Sequence, residues 1–447
     1  MSLTVEQVLA LAPDAGAVAA GRKLGQAGVW RGLGRSARAL WGECQGSALY
    51  QVRVDLADLA VACSCPSRKF PCKHGLGLLL LAAASPAAVP EGEPPEWVSA
   101  WLARRAERAA QRAPDAPVKK RPEKPPASAD RAAARRADQR RARVAAGIEA
   151  LDRWLSDLVR TGLASVATQP ATFWEQQAAR LVDAQAPGLA ARVRRLAAIP
   201  NSSPDWPERL LGQLGRLALL TESYRRIEEL EPALQEDVRG AVGWTLSREE
   251  VVARGEAQAD EWLILGQRVT VEERLRAQST WLLGARSGRF ALVLQYANGR
   301  AAFPETLLPG SRLAAELVYW PSAYPLRALM ARRQDKEIPM SGPVRGATTV
   351  AAFLDGAANA LAQQPWLERL PCALRGVVAR QEASAGVRWL LVDAEGVALP
   401  LAPGEHWRLL ALSGGRPVDL LGEWGGEAVL PLGVVADGAY HRLGEDA

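Results

Sequence analysis

Residues 63–74 read Cys-Ser-Cys-Pro-Ser-Arg-Lys-Phe-Pro-Cys-Lys-His, which places three cysteines and a histidine within twelve positions as C-x-C-x6-C-x-H. Three of the five cysteines and one of the three histidines of the 447-residue chain fall there. Five cysteines are too few for a disulfide scaffold, and a chain of this length can bury its own cores without one. The start, MSLTVEQVLALAPDAG, lacks a basic region followed by an apolar stretch, so a reducing cytoplasm is expected. No apolar run approaches the ~18 residues of a membrane span. In that compartment a Cys3His concentration reads as a metal site, and tetrahedral Cys3His is a closed structural zinc set.

The spacing sets geometric demands. Side chains one residue apart share a face only where the backbone is extended or bent, so Cys63 and Cys65 belong at the end of a strand. Residues two apart do not face each other on a helix, so Cys72 should precede a helix and His74 lie in its first turn. Three thiolates and a neutral imidazole give a zinc site a charge of about −1, which Arg68, Lys69, Lys73 and the positive helix end would offset. Four protein ligands leave no open position for a catalytic water. Cys44, near the same hairpin, reads as a small buried residue. Cys372, His406 and His441 stand alone and read as core or surface residues.

The flanking pattern supplies the elements. A short amphipathic helix carries Val5, Val8, Leu9 and Leu11; Leu40–Cys44, Tyr50–Val54 and Leu59–Ala62 read as strands; Gly75–Ala84 reads as a buried helix stopped by Ser85-Pro86. At these residues the chain resembles the SWIM zinc finger family, whose pattern is C-x-C, a variable gap and C-x-H on a strand-strand-helix unit. CSCPSRKFPCKHGLGLLLL carries the four ligands, the Cys-Pro and the apolar helix, and Trp41 with the Tyr50–Val54 hairpin completes a likeness over residues 28–86. The resemblance implies one structural Zn2+ on Cys63, Cys65, Cys72 and His74, and nucleic acid as the commonly proposed partner. The remaining length is similar to bacterial SWIM proteins often encoded beside MoxR-type AAA+ ATPases and von Willebrand A-domain proteins.

The rest of the chain divides by composition into an α+β multidomain protein. Residues 1–100 form the zinc unit with flanking helices, including a helix at Glu96–Arg112. Residues 101–145 are a basic, proline-containing linker and the start of an arginine-rich helix. Residues 146–255 carry helical periodicity throughout and read as a helical domain. Residues 256–447 read as a β-rich domain, with strands at 262–269, 279–283, 290–296, 312–318, 373–379, 387–392, 397–401 and 407–412, and a helix at 349–362. Residues 113–130 contain five prolines and one large apolar side chain, too little for a core, and Asp130 is placed to cap the helix that follows. No internal repeat of fixed period is evident.

Charge is localised. Of 55 basic residues only seven are lysines, yet residues 101–145 hold 14 basic and five acidic residues against a whole-chain net of +6. Arg68, Lys69 and Lys73 beside the ligands, with Arg135, Arg136, Arg140 and Arg141, are the candidates for phosphate contact. Charge balance at the thiolates and a solvated helix face are the plainer account of the same residues. Two functions follow: a non-catalytic nucleic-acid or protein recognition module, or a protein adaptor in an ATPase assembly without nucleic-acid contact. Enzymatic chemistry is not expected. Gly32-Leu33-Gly34 lacks a following Gly-Lys-Ser/Thr, and there is no Gly-x-Ser-x-Gly or His-Glu-x-x-His. The fifteen tryptophans, spread through all segments, read as core anchors.

Overall fold

A computed structural model describes residues 4–12, 15–46, 48–57, 59–67, 71–110, 126–272, 275–299, 301–334, 337–340, 342, 344–382 and 388–443. The amino-terminal unit begins with α1 (Val5–Ala10) and α2 (Ala15–Leu24), followed by an antiparallel meander of β1 (Trp30–Arg35), β2 (Ala39–Gln45), β3 (Leu49–Asp55) and β4 (Ala60–Cys63), then α3 (Lys73–Ala84) and α4 (Glu96–Ala110). Period-two alternation buries both faces of this sheet. Leu40, Cys44, Val52 and Val54 meet Leu76 and Leu79 of α3 on one side, while Ala39 and Trp41 meet Val98 and Leu102 of α4 on the other. The sequence reading missed α2 and β1. The latter carries two glycines, and both are required: Gly32 has φ +55°, and a Cβ at Gly34 would lie 2.4 Å from the Trp41 ring.

The helical region comprises α5 (Pro126–Thr161), α6 (Ala171–Asp183), α7 (Pro187–Leu196), α8 (Trp206–Arg225), α9 (Pro232–Val242) and α10 (Arg248–Arg254). Proline stands in the first turn of α7, α8 and α9, where its missing N–H is not needed. Ile148, Leu151, Leu155, Trp174, Leu181, Leu189, Leu214 and Leu217 build the core. α5 starts before the expected cap, so Asp130 lies inside the helix rather than at its head.

Next come β5 (Ala257–Glu272), β6 (Leu275–Gly284), β7 (Phe290–Asn298), β8 (Ser311–Tyr319), β9 (Arg327–Arg333) and the short β10 (Ile338–Pro339). β5 pairs antiparallel with both β6 and β8, β6 with β7, and β8 with β9, while β7 runs parallel to β9. Those pairings close five strands into a barrel around Trp262, Ile264, Leu282, Leu317 and Tyr319.

The chain ends with α11 (Val350–Gln363), β11 (Leu370–Glu382), β12 (Arg388–Val392), β13 (Ala398–Pro400), α12 (Trp407–Ser413), β14 (Val418–Trp424), β15 (Val429–Ala436) and β16 (Ala439–Arg442). Here β11 pairs with β12 and β14, β12 with β13, β14 with β15, and a parallel bridge joins Leu401 to Val429. The expected strand at 407–412 is instead helix α12. Its apolar residues are contiguous rather than alternating, Leu409 enters the core while Trp407 faces solvent, and left-handed Gly414 ends it. The two β units pack through Leu265, Trp281 and Leu283 against Leu421 and Leu432. Trp366, just after α11, inserts into the helical core, where Arg216 donates to the carbonyls of Pro365 and Leu367 at 2.7 and 2.9 Å.

Candidate metal centre

β3, β4 and the head of α3 converge on four side chains. One ligand atom from each of Cys63, Cys65, Cys72 and His74 lies within 4.8 Å of all the others. Cys63 closes β4 opposite Val52. Ser64 extends that ladder by one residue, donating its N–H to the Gln51 carbonyl at 3.1 Å and accepting the Gln51 N–H on its hydroxyl at 3.0 Å. This double clamp turns the chain so that Cys65 returns to the same side, its N–H donating to Cys63 Sγ at 3.5 Å. Cys72 is the N-cap of α3 and its Sγ accepts the Gly75 N–H at 3.4 Å. His74, in the first turn, brings Nδ1 to 3.8 Å from Cys63 Sγ. Two ligands leave a strand and two enter a helix, as the C-x-C and C-x-H spacings demand.

Burial and charge suit a metal. His74, Cys65 and Cys72 are buried and Cys63 is partly so. The Cys63 thiol donates toward Cys72, which pushes Cys63 up and draws Cys72 down to about 4; burial pushes Cys65 up. A thiolate at position 72 sits on the amide end of α3, where the helix dipole favours negative charge. All four ligands fit Zn2+ in a closed set, and the chain binds one zinc through them. The metal supplies the cross-link between strand and helix that this small unit needs.

Packing around the ligands is tight. Tyr50, which the sequence reading used only as the start of a strand, stacks on His74 with ring centroids 4.9 Å apart and joins Cys65 and Cys72 in one buried cluster. Its position opposite Cys44, two residues along β3 from Val52, was the available signal. A Cβ at Gly75 would stand 2.5 Å from Val61 Cγ1, so α3 rests directly on β4 only because residue 75 is glycine. Cys44 is buried in the core, where its thiol is pushed up by burial, and is not among the four. On the opposite face, Arg53 lies 5.5 Å from the rings of both Trp97 and Trp101, and Arg105 donates to the buried carboxylate of Asp55 at 3.3 Å.

The basic candidates separate. Arg68 and Lys69 lie outside the described residues, as does the side chain of Arg136; Lys73 is exposed beside the ligands. Arg135 is exposed on α5, Arg141 is exposed and paired with Asp138, and Arg140 turns inward onto Trp244. The zinc site and the α5 arginines are not brought into a single cluster by any contact among the described residues. No helix among them is long and apolar enough to cross a membrane.

Residues 50–83 match the SWIM zinc finger, and residues 139–242 match the SWIM-associated four-helix bundle domain. No curated protein and no solved structure matches the chain. The first match contains all four ligands and the second begins within α5 and ends with α9. With the ligand quartet in one and the helical core in the other, the chain carries a zinc-binding SWIM zinc finger and a SWIM-associated helical bundle.

Proposed function

We propose that the chain is a non-catalytic recognition protein whose partner is nucleic acid, bound through phosphates without sequence preference. The closed ligand set makes zinc a structural element, so function falls to the surfaces around it. One observation carries the choice of partner. Among the described side chains the first core residue on α5 is Val144, and residues 126–143 reach up to about 27 Å ahead of it, with Arg140 alone of the described arginines turned back onto Trp244. That stretch holds six arginines and two aspartates, with Arg135, Arg141 and Arg143 exposed. Most of it precedes the matched bundle segment, as an appended basic arm would.

The test uses the full chain. Duplex and single-stranded probes should bind at about 50 mM salt and lose affinity steeply as salt rises. Replacing Arg135, Arg141 and Arg143 together by alanine should lower the duplex salt slope by up to about 2.7, since each phosphate contact contributes roughly 0.9. Absence of any shift with the wild-type chain at low salt would overturn the reading and leave a protein partner, to be sought by co-purification from the native host.

A further inference from the structure

The two β units share one topology. In each, a long first strand pairs with the second and fourth, the second with the third, the fourth with the fifth, and the third runs parallel to the fifth: β5-β6-β7-β9-β8 in one and β11-β12-β13-β15-β14 in the other. The first strand of each breaks register partway, between Ile264 and Gly266 and between Leu374 and Val377. This five-stranded Greek-key barrel order is that of the oligonucleotide/oligosaccharide-binding fold, whose ligands lie on the outer face of strands two and three. We propose that the first barrel, residues 257–333, binds single-stranded nucleic acid on the uncovered half of that face, with Tyr296 as the stacking platform.

Three observations place the site there. Within the barrel wall, Thr280, Gln278, Val293, Gln295 and Ala297 are buried, so the alternating residues of β6 and β7 face outward. Near the β5–β6 turn those outward rows are Thr270, Ala277 and Tyr296, then Leu275 with Asn298. Tyr296 is 50% and Leu275 40% exposed, and the β6 residue paired with the tyrosine is the small Ala277. The next row, Arg268, Ser279 and Leu294, marks the border with the second barrel, where Arg268 pairs with buried Glu423 at 3.4 Å. Beyond it Trp281 and Leu283 are covered. The occupant is chosen by charge: residues 257–333 hold ten basic and six acidic side chains, whereas residues 370–436 hold five and seven. A polyanion with exposed π-faces suits the first barrel and not the second.

This site is separate from the α5 arm and stands whether or not the arm binds. The experiment therefore starts from the full chain with Arg135, Arg141 and Arg143 already replaced by alanine. A fluorescein-labelled twelve-nucleotide oligothymidylate should still bind it at low salt, and duplex of the same length should compete poorly. Adding Tyr296→Ala should weaken oligothymidylate binding about tenfold or more, while Tyr296→Phe restores it with unchanged thermal unfolding. An oligonucleotide carrying 5-iodouracil should photocross-link to Tyr296. No binding by the arm-neutralised chain, equal competition by duplex, or unchanged affinity in Tyr296→Ala would each overturn the proposal.

Discussion

The guanidinium of Arg140 lies 4.0 Å from the ring of Trp244 and donates to the Gly243 carbonyl at 3.1 Å, tying α5 to the end of α9. One arginine of the basic run is therefore a structural part of the bundle, while Arg143, three residues on, is exposed. Arg140→Ala should destabilise the helical region by about 1–2 kcal/mol, from the lost cation–π contact and hydrogen bond. Arg143→Ala should change stability by under about 0.5 kcal/mol. Urea unfolding of the two variants checks the contrast, and equal losses would mean that Arg140 is held in place without holding anything.

Removing the metal should unfold one unit and spare the rest. The amino-terminal core contains Val8, Trp30, Val52, Leu76 and Leu79, and none of these joins the helical core that starts at Val144. Structural zinc contributes about 10 kcal/mol or more to small finger folds. Cys72→Ser should lower bound zinc from about one per chain to near zero and expose residues 30–84 to protease. The transition of the helical region should stay in place. A chain that keeps a full equivalent of zinc after this change would overturn the ligand assignment.

The metal site was legible because its constraint is local: C-x-C and C-x-H each specify a backbone conformation over three residues, and Cys72 as N-cap of α3 follows from that. Barrel closure was not legible. It depends on β7 meeting β9 over two residue pairs, Leu292 with Arg327 and Val293 with Ala328, which no local pattern encodes. The topological duplication leaves no fixed period in the sequence for a related reason. Leu370 and Arg388 follow Ala257 and Leu275 by 113 residues, but Val429 follows Arg327 by only 102, since shorter strands and loops in the second barrel erase the period. Burial also hid the role of Arg140, because a basic run reads the same whether one member turns inward or none does.

Close approach of α3 to β4 gives a sharper probe of the zinc unit than deleting a ligand. Gly75→Ala retains all four ligands yet places a methyl 2.5 Å from buried Val61 Cγ1, and overpacking of this kind typically costs about 1–3 kcal/mol. The variant should bind zinc more weakly in competition with a chromogenic chelator, because folding and binding are linked. Gly92→Ala, where an added Cβ meets nothing within 4 Å, should match the parent.

Trp366 offers a test of how the helical region and the second barrel communicate. Its ring is buried in the helical core although the chain reaches it between α11 and β11, and Arg192 pairs with the adjacent Glu368 at 2.7 Å. Trp366→Ala should cost about 3–5 kcal/mol and split a shared thermal transition into two. A single, merely lowered transition would show that Arg192 and Arg216 suffice to couple the parts.

Asp393 supplies the pH dependence. It follows β12, and its carboxylate accepts the Val350 N–H at the start of α11 at 2.8 Å, the Glu395 N–H at 3.0 Å and the Val397 N–H at 2.9 Å. The Val350 amide first, and then the turn amides, hold its carboxyl below the ordinary carboxylate value. A depressed folded value means that the stabilisation is present above the unfolded pKa near 3.9 and is lost as pH falls through the folded one. Asp393→Asn should therefore be less stable than the parent at pH 7 and pH 5, and the gap should narrow below about pH 4. Comparing the pair by urea unfolding at each pH cancels acid release of zinc, which is common to both. A gap that stays constant down to pH 3 would mean that the shape of the side chain, and not its charge, anchors the head of α11.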